Sequence, residues 1–433
     1  MLIEVLAMRK LILLGTGNAM VTKCFNTCFA LNIDDEYFLV DAGGGNGILA
    51  QLEKAQIDMT KIHHLFITHA HTDHVLGVIW VVRKIATLMN QGKYEGKLHI
   101  YCHDKVKMVV ETIANLTLKK KDLSSLENLL HETVTSPVDL ITDIGNHLIS
   151  SGGKRIRPAL YLLATKSNPN LDKDYVMPLA MALEMIHTAS LVHDDVLDNA
   201  ATRRGSATAN AKWGNNIAVL TGDYLFAKAF AAIAKNDYGT RISERLATIV
   251  CDLSEGEILQ NHFGYTIPDS IDIYYERIAK KTANFIATSC EIGAIVAKLS
   301  AKEVDALREY GYCIGMAFQI VDDILDLTSD SKKIGKPAGN DILQGVITLP
   351  VIHAYKHGEN SEELKNIIEN RQMSLEELNR AINIVKNSNS IDFARQTVTE
   401  FLNRAKNILP DSLPQSVRTS FIEIADFIGS RDY

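Results

Sequence analysis

Cysteine occurs 6 times in 433 residues and tryptophan twice. Six scattered thiols lack the spacing of a disulfide scaffold and read as free cysteines of a reducing compartment. Cys24 and Cys28 form a CxxxC pair, but no second ligand pair accompanies it, so both read as ordinary thiols. No run of 18 apolar residues is present, which removes the expectation of a membrane-spanning helix. Positive charge is also short. Against 52 Asp and Glu stand 45 Lys and Arg, and a formal net charge of −7 is the wrong sign for a dedicated nucleic-acid binder. The first residues, MLIEVLAMRKLILLGTG, are apolar. Glu4 comes early, however, and no small-residue cleavage site follows, so they do not read as a signal peptide. These absences together predict a cytoplasmic protein.

What remains is ordinary for a folded chain: 46% apolar and 22% charged residues, enough for a large core. The length predicts two domains or three. Two textures divide the chain. Residues 1–120 alternate short apolar runs with Gly and Asp. Strands are predicted at Leu11–Leu14, Tyr37–Val40, Leu65–Thr68 and Leu98–Cys102, and helices at Gly47–Ala55 and Leu76–Met89. This is an α/β pattern. After Lys119, Lys120 and Lys121 strand signals nearly vanish, and glycine and proline become sparse. Helical periodicity then runs through Leu123–Ser150, Val176–Val192, Ile217–Ala234 and Val304–Leu327, which predicts an all-α domain over residues 121–433. Asp122 or Ser124 can cap its first helix.

Two segments of the helical part share one pattern. Asp194, Asp195 and Asp198 close an apolar stretch, and Asp322, Asp323 and Asp326 close another. On a helix, positions i and i+4 share a face. A solvated acidic patch would explain one such motif alone. Two of them, each at the end of a stretch that should be buried, ask for a cation, because crowded carboxylates repel. Carboxylate oxygens suit Mg²⁺, which leaves its other positions to water and substrate phosphates. Gly152-Gly153-Lys154-Arg155-Ile156-Arg157-Pro158 adds a cationic turn that a phosphate can approach closely. By itself that turn reads as surface; beside two aspartate motifs it reads as an anion site. Arg203 and Arg204 follow shortly after the first motif.

These blocks carry a resemblance. GGKRIRP (152–158), MIHTASLVHDDVLDNAATRRG (185–205), TGDYL (221–225), KKTA (280–283), FQIVDDILDLTSD (318–330), GKPAGND (335–341) and TLP (348–350) stand in the order of the trans-polyprenyl diphosphate synthases. The resemblance implies an all-α isoprenoid synthase bundle that condenses isopentenyl diphosphate with allylic diphosphates. It implies two to three Mg²⁺ ions on Asp194, Asp198 and Asp322, with Asp195, Asp323 and Asp326 completing the catalytic motifs. It places isopentenyl diphosphate on Lys154, Arg157, His187 and Arg204, and the allylic diphosphate on Arg203, Lys281, Thr282, Gln319 and Lys336. A core histidine is the ordinary reading of His187; its spacing from Asp194 moves it to the site. His193 has no matched role. One departure is Val346, where the family often has Lys. Terpene cyclases usually replace the second aspartate motif with an Asn/Ser/Glu type, so its presence here favours elongation. Short-chain members typically have an aromatic plug one turn before Asp194, where this chain has Ala189 and Ser190. A helical turn of about 5.4 Å approximates one five-carbon unit, so a product longer than twenty carbons is expected, in the range of thirty to forty, for isoprenoid quinone side chains. The resemblance also implies a homodimer or a heterodimer with a small subunit, and transient membrane contact through the product.

In the first part, His69, His71, Asp73 and His74 follow an apolar strand at a spacing that suits Zn²⁺. With LGTG (14–17) and VDAGGG (40–45) the segment is similar to the first half of the metallo-β-lactamase fold, closest to ribonuclease Z-type hydrolases. The later motifs of that fold do not follow; His63, His64, His99 and His103 stand in none of them. The expected reading is an incomplete α/β metallo-β-lactamase-like segment, residues 1–120, fused to a complete synthase. The alternative is a bifunctional protein with an added zinc-dependent hydrolase activity.

Overall fold

The computed structural model describes residues 9–16, 26–33, 36–43, 45, 47–69, 72–90, 92–104, 106–107, 121–328 and 338–430. It divides into two compact units, residues 1–122 and 123–433.

The first unit is built on a five-stranded sheet in sequential order: β1 (Arg9–Gly15), β2 (Cys28–Ile33), β3 (Glu36–Val40), β4 (Ile62–Phe66) and β5 (His99–Tyr101). The first three strands are antiparallel neighbours; β3–β4 and β4–β5 are parallel. Parallel neighbours need a crossover, which α1 (Gly47–Lys54) and α2 (Thr72–Asn90) supply. Strand β2 was absent from the expected set, although CFALNI alternates: Cys28, Ala30 and Asn32 are buried and Phe29 and Leu31 only partly so. Its inner face joins Leu39, Ile62 and Leu65 against Ile48 and Leu52 of α1 and Val78, Val81 and Ile85 of α2. The helical residues recur at i+3, i+4 and i+7, one apolar stripe each. The register sets two cross-strand rows on the opposite face, one apolar and one that ends in histidines. One is Leu13, Phe29, Val40, Phe66 and Tyr101; the other is Leu11, Leu31, Phe38, His64 and His99. Leu11 and Leu13 there are 60% and 63% exposed.

Among its described residues the second unit has helices and one short hairpin, Thr202–Arg203 paired with Ser206–Ala207. The expected continuous helix over 123–150 is two helices, α3 (Lys121–Thr133) and α4 (Asp139–Ser150). Pro137 lies in the break and disfavours helix at the residue before it. There follow α5 (Ile156–Thr165), α6 (Lys173–Leu197), α7 (Asn215–Ala234), α8 (Thr240–His262), α9 (Ile271–Ile278), a π-helical turn over Ala279–Ala283, α10 (Asn284–Val296) and α11 (Ala301–Thr328). Five more helices, from Leu349–His357 to Gln415–Gly429, pack on the far side of α11. By length and composition α6 and α7 could each cross a membrane, against the sequence expectation. Most of α6 is instead buried among its neighbours, with Ala180, Ala182, Leu183, Ile186 and Ala189 fully enclosed.

Small residues let these helices approach closely. A Cβ on Gly315 of α11 would lie 2.5 Å from Ala283 Cα in the π turn, and one on Gly293 of α10 would lie 2.6 Å from the Tyr161 carbonyl of α5. Close approach brings the C-terminal ends of α6 and α11 and the π turn into one region, and that region carries the motifs.

Candidate active site

Each aspartate motif presents its carboxylates in the same way. Asp194 and Asp198 of the first, and Asp322 and Asp326 of the second, are half-buried or exposed, one helical turn apart. The second residue of each motif turns inward: Asp195 and Asp323 are both 3% exposed. Arg203 Nε donates to Asp195 Oδ1 at 2.8 Å. Asp323 accepts from Tyr274 Oη at 2.7 Å and from Gln319 Nε2 at 3.0 Å. The motif residues thus divide into outward pairs able to meet a cation and inward ones that hold neighbours.

The outward set is electrostatically loaded. Burial pushes the Asp194 carboxyl up to about 6; nearby Lys281 opposes the rise and Glu257 adds to it. Burial, then repulsion from Asp326 and Asp323, raises Asp341 as well. The Asp341 backbone N–H donates to Asp326 Oδ2 at 3.2 Å. Asp341 was not singled out from the sequence, although it ends the GKPAGND block; only the fold reveals it as a further acid beside the second motif. Lys281 is the common neighbour of Asp194 and Asp341. It pairs with Glu257 at 2.5 Å and donates to Gln260 at 3.0 Å. Oxygen donors one helical turn apart are what Mg²⁺ draws on. Among the described residues no three His, Cys, Asp or Glu side chains form a closed metal cage. The carboxylates fit an ion that keeps positions for water and phosphate.

The π turn accounts for the KKTA block. π turns recur at functional sites because the extra residue re-aims side chains. Here Lys280 pairs with Glu255, while Lys281 and Thr282 turn towards α8 and α11. Thr282 Oγ1 donates to Gln319 Oε1 at 3.0 Å, and Gln319 in turn donates to Asp323. Gly256 of α8 makes room for the turn: a Cβ there would lie 2.8 Å from Lys281 Cγ.

The cationic residues gather around the start of α5. Arg157 is half-buried against the Phe285 ring, 4.8 Å from its centroid, and desolvation lowers its guanidinium to about 10. It stays charged at neutral pH. Arg204 Nη1 donates to the Gly152 carbonyl. His187 is half-buried, with Arg157, Arg204, Arg203 and Arg155 as electrostatic neighbours. Burial first, and those cations second, hold its pKa well below the ordinary value. Lys154 Nζ lies 5.5 Å from the Phe318 ring, on α11 beside Gln319. Through Lys154 the cationic turn reaches the second aspartate helix. Arg203, expected on the allylic diphosphate, is engaged by Asp195. Lys336 lies outside the described residues. Val346 follows a positive-φ glycine, Gly345, and its N–H donates to the Asp341 carbonyl at 2.8 Å. His193 packs its ring on Gly222 and its Nε2 lies 3.1 Å from the Val219 carbonyl.

Below the first motif, Ala189 is fully buried in a cluster with Ile186, Ala182, Leu225 and Phe285. Ser190 Oγ donates to the His187 carbonyl at 2.9 Å.

In the first unit, His69 and His74 come together with ring centroids 4.0 Å apart. His74 Nδ1 donates to Asp41 Oδ2 at 2.8 Å. Thr68 donates to the same carboxylate through its backbone N–H at 2.8 Å and its hydroxyl at 2.7 Å. A Cβ on Gly77 would lie 1.7 Å from the Ala42 carbonyl, so only glycine lets α2 start this close to Asp41. His71, the side chain of Asp73, and Cys24 lie outside the described residues. Asp41 lies in the VDAGGG block and Thr68 ends a predicted strand, but the sequence assigns neither a partner, because they are distant in sequence and only the β3–β4 pairing unites them.

Comparisons with known proteins bear on the family of each unit. Residues 138–385 match the family model for polyprenyl synthetase. The chain is 39% identical over 318 residues to heptaprenyl diphosphate synthase component 2 of Bacillus subtilis (strain 168), covering 72% of this chain and 88% of that protein. It is 34% identical to the octaprenyl diphosphate synthase of Escherichia coli (strain K12), covering 75% of this chain and 100% of the relative. Among solved structures, heptaprenyl diphosphate synthase from Staphylococcus aureus aligns with a TM-score of 0.67 at 34% identity, over 72% of this chain and 98% of that one. Polyprenyl synthase from Caulobacter crescentus CB15, complexed with calcium and isoprenyl diphosphate, aligns with a TM-score of 0.68 at 33% identity, over 75% and 98%. Residues 9–136 match a different family model, that of the anti-Pycsar protein Apyc1. With 248 residues, more than half the chain, matched to one family model, the protein belongs to the polyprenyl synthetase family, and its helical unit is a prenyltransferase.

Proposed function

We propose that residues 123–433 extend an allylic diphosphate head to tail with isopentenyl diphosphate, towards products of about thirty to forty carbons, as for isoprenoid quinone side chains. The observation that carries this reading is the arrangement around Lys281: Asp194 of α6 and Asp341, whose backbone N–H meets Asp326 of α11, share it as a neighbour, beside a separate arginine pocket. Two anion sites of different make-up suit two diphosphates. Asp194, Asp198 and Asp322 would hold Mg²⁺, which supplies charge to stabilise a departing diphosphate. Lys281 lies where it adds a fixed cation for the same oxygens, and Thr282 and Gln319 orient the inward face of the site. The allylic C–O bond breaks with its electron pair leaving on the diphosphate. The double bond of isopentenyl diphosphate, held by Lys154, Arg157, His187 and Arg204, forms the new C–C bond. The proton then lost passes to the released diphosphate, so no protein nucleophile is needed. The small size of Ala189 and Ala182, on the helix below Asp194 where a larger side chain would block a growing chain, supports a product longer than twenty carbons.

The test is incubation of the full chain with labelled isopentenyl diphosphate and an allylic primer, followed by product sizing. Products of about thirty to forty carbons are expected, by the one-unit-per-turn spacing; a product limited to fifteen carbons would refute the length reading. Activity that appears only on adding a small partner would favour a heteromer, as the name "component 2" of the Bacillus relative suggests. Work is expected in the cytoplasm, with the apolar product touching the membrane.

For residues 1–122 we propose an incomplete metallo-hydrolase-like domain. The Asp41–His74 hydrogen bond and the adjoining His69 ring support it, since metal-binding histidines are commonly oriented by a carboxylate. Metal analysis of the full chain tests it: stoichiometric zinc supports the reading, and zinc-free protein after zinc-supplemented purification removes it.

A further inference from the structure

We infer that Glu184 and Arg155, which touch neither substrate in the reading above, position the isopentenyl diphosphate pocket; the inference rests on that reading. Arg155 adopts φ +50, uncommon for a side chain of its size. This conformation sends its guanidinium inward while its neighbours Lys154 and Arg157 remain at the pocket. Nη1 donates to Glu184 Oε1 of α6 at 2.6 Å. Nε and Nη2 donate to the two carboxylate oxygens of Glu127 on α3 at 2.8 and 3.1 Å. Nη2 also donates to the Ile149 carbonyl of α4 at 3.2 Å. One side chain thus pins the Gly-Gly-Lys-Arg turn to three helices. The turn is tight enough that a Cβ on Gly153 would lie 2.7 Å from Arg204 Nη1 and 3.1 Å from Arg155 Nη1.

Glu184 supplies the charge that makes this possible. It is 2% exposed and interacts with Arg155, Arg157 and Arg204. Three guanidiniums in a low-dielectric pocket repel one another strongly. One carboxylate among them lowers that repulsion and leaves a net positive pocket for a diphosphate. Two atoms mark the pocket as incomplete: Glu184 Oε2 and Arg157 Nε are buried and make no hydrogen bond with the described residues. Buried polar atoms ordinarily find partners, so the donor on Arg157 remains available to an anion. Glu184 therefore holds the donors in place before substrate arrives, which is preorganisation rather than contact.

Steady-state kinetics on the full chain separates this role from a merely structural one. Glu184→Gln keeps the shape and removes the charge. The expected result is a KM for isopentenyl diphosphate raised about tenfold or more, a scale typical of misplaced binding groups, with the KM of the allylic primer unchanged. Glu127→Gln, at a position 40% exposed on its side chain, should leave folding intact and raise the same KM by about threefold, a lost charged hydrogen bond being worth little more at an exposed site. An isopentenyl KM within twofold of wild type in Glu127→Gln and in any folded Glu184→Gln protein overturns the inference; so does an equal rise for both substrates. If the wild type turns over neither substrate, the prenyl-transfer reading fails by itself. Calorimetric binding of inorganic diphosphate without divalent ion then decides the positioning role: weaker binding by Glu127→Gln supports it, and unchanged binding overturns it.

Discussion

At the scale of single residues, the five-residue motifs are not uniform. Asp322 faces outward, whereas Asp323 is locked between Tyr274 and Gln319. Replacing Asp322 with Ala should lower kcat by about a hundredfold to a thousandfold, the usual loss when one charge-stabilising group is removed, with little change in Tm. Tyr274→Phe should do the reverse. It leaves buried Asp323 short of one donor, which costs about 1–3 kcal/mol, and it should be seen first in thermal unfolding. Equal effects of the two changes on kcat would contradict the division into outward and inward aspartates. Ala189→Phe introduces a ring where Ala189 is wholly enclosed. Chromatography of the products should show shorter chains; unchanged length would place the growing chain elsewhere.

At the scale of elements, the site depends on how closely α11 crosses the π turn. Gly315 lies against Ala283, the last residue of the turn that carries Lys281 and Thr282. Gly315→Val must push backbone against backbone. The expected cost is about 1–3 kcal/mol of stability for overpacking, together with a raised KM for the allylic primer as Lys281 moves. A variant that is destabilised but keeps its allylic KM would show the crossing to be structural only. The sheet of the first unit poses the opposite case. One face is filled by α1 and α2, while Leu11, Leu13, Phe66 and Tyr101 on the other are exposed. The row Leu13, Phe29, Val40, Phe66 and Tyr101 resembles an inner face more than a solvated one.

For the whole molecule, crowded acids couple stability to pH. Burial raises the folded pKa of Asp194 from 3.8 to about 6, and Asp323 and Asp341 are raised as well. Between about pH 4 and 6 the folded protein keeps a proton that the unfolded chain has lost. Stability from these groups is therefore complete below pH 4 and lost as pH rises through the folded values. Without divalent ions, Tm should fall from pH 5 to pH 8 through these groups, and Mg²⁺ should restore more at pH 8 than at pH 5, because Asp194 has by then given up its proton. An equal Mg²⁺ effect at both values would contradict the linkage.

Much of this protein was legible before folding was considered. Helical periodicity, the change of texture near residue 121, and the Asp194 and Asp322 motifs are local patterns, and local patterns survive in a linear string. Family blocks in order were enough to assign the prenyltransferase. The tertiary structure decided what depends on distant contacts. Cys28–Ile33 became a strand because β1 and β3 pair with it on either side. Which aspartates face outward followed from where Arg203, Tyr274 and Gln319 lie. Asp341 joined the second motif, and Glu184 the arginine pocket, only through folding. Burial shifts a carboxyl, and three guanidiniums need a counter-charge, only when helices far apart in sequence remove the water between them. That desolvation is a property of packing, and no residue carries it alone.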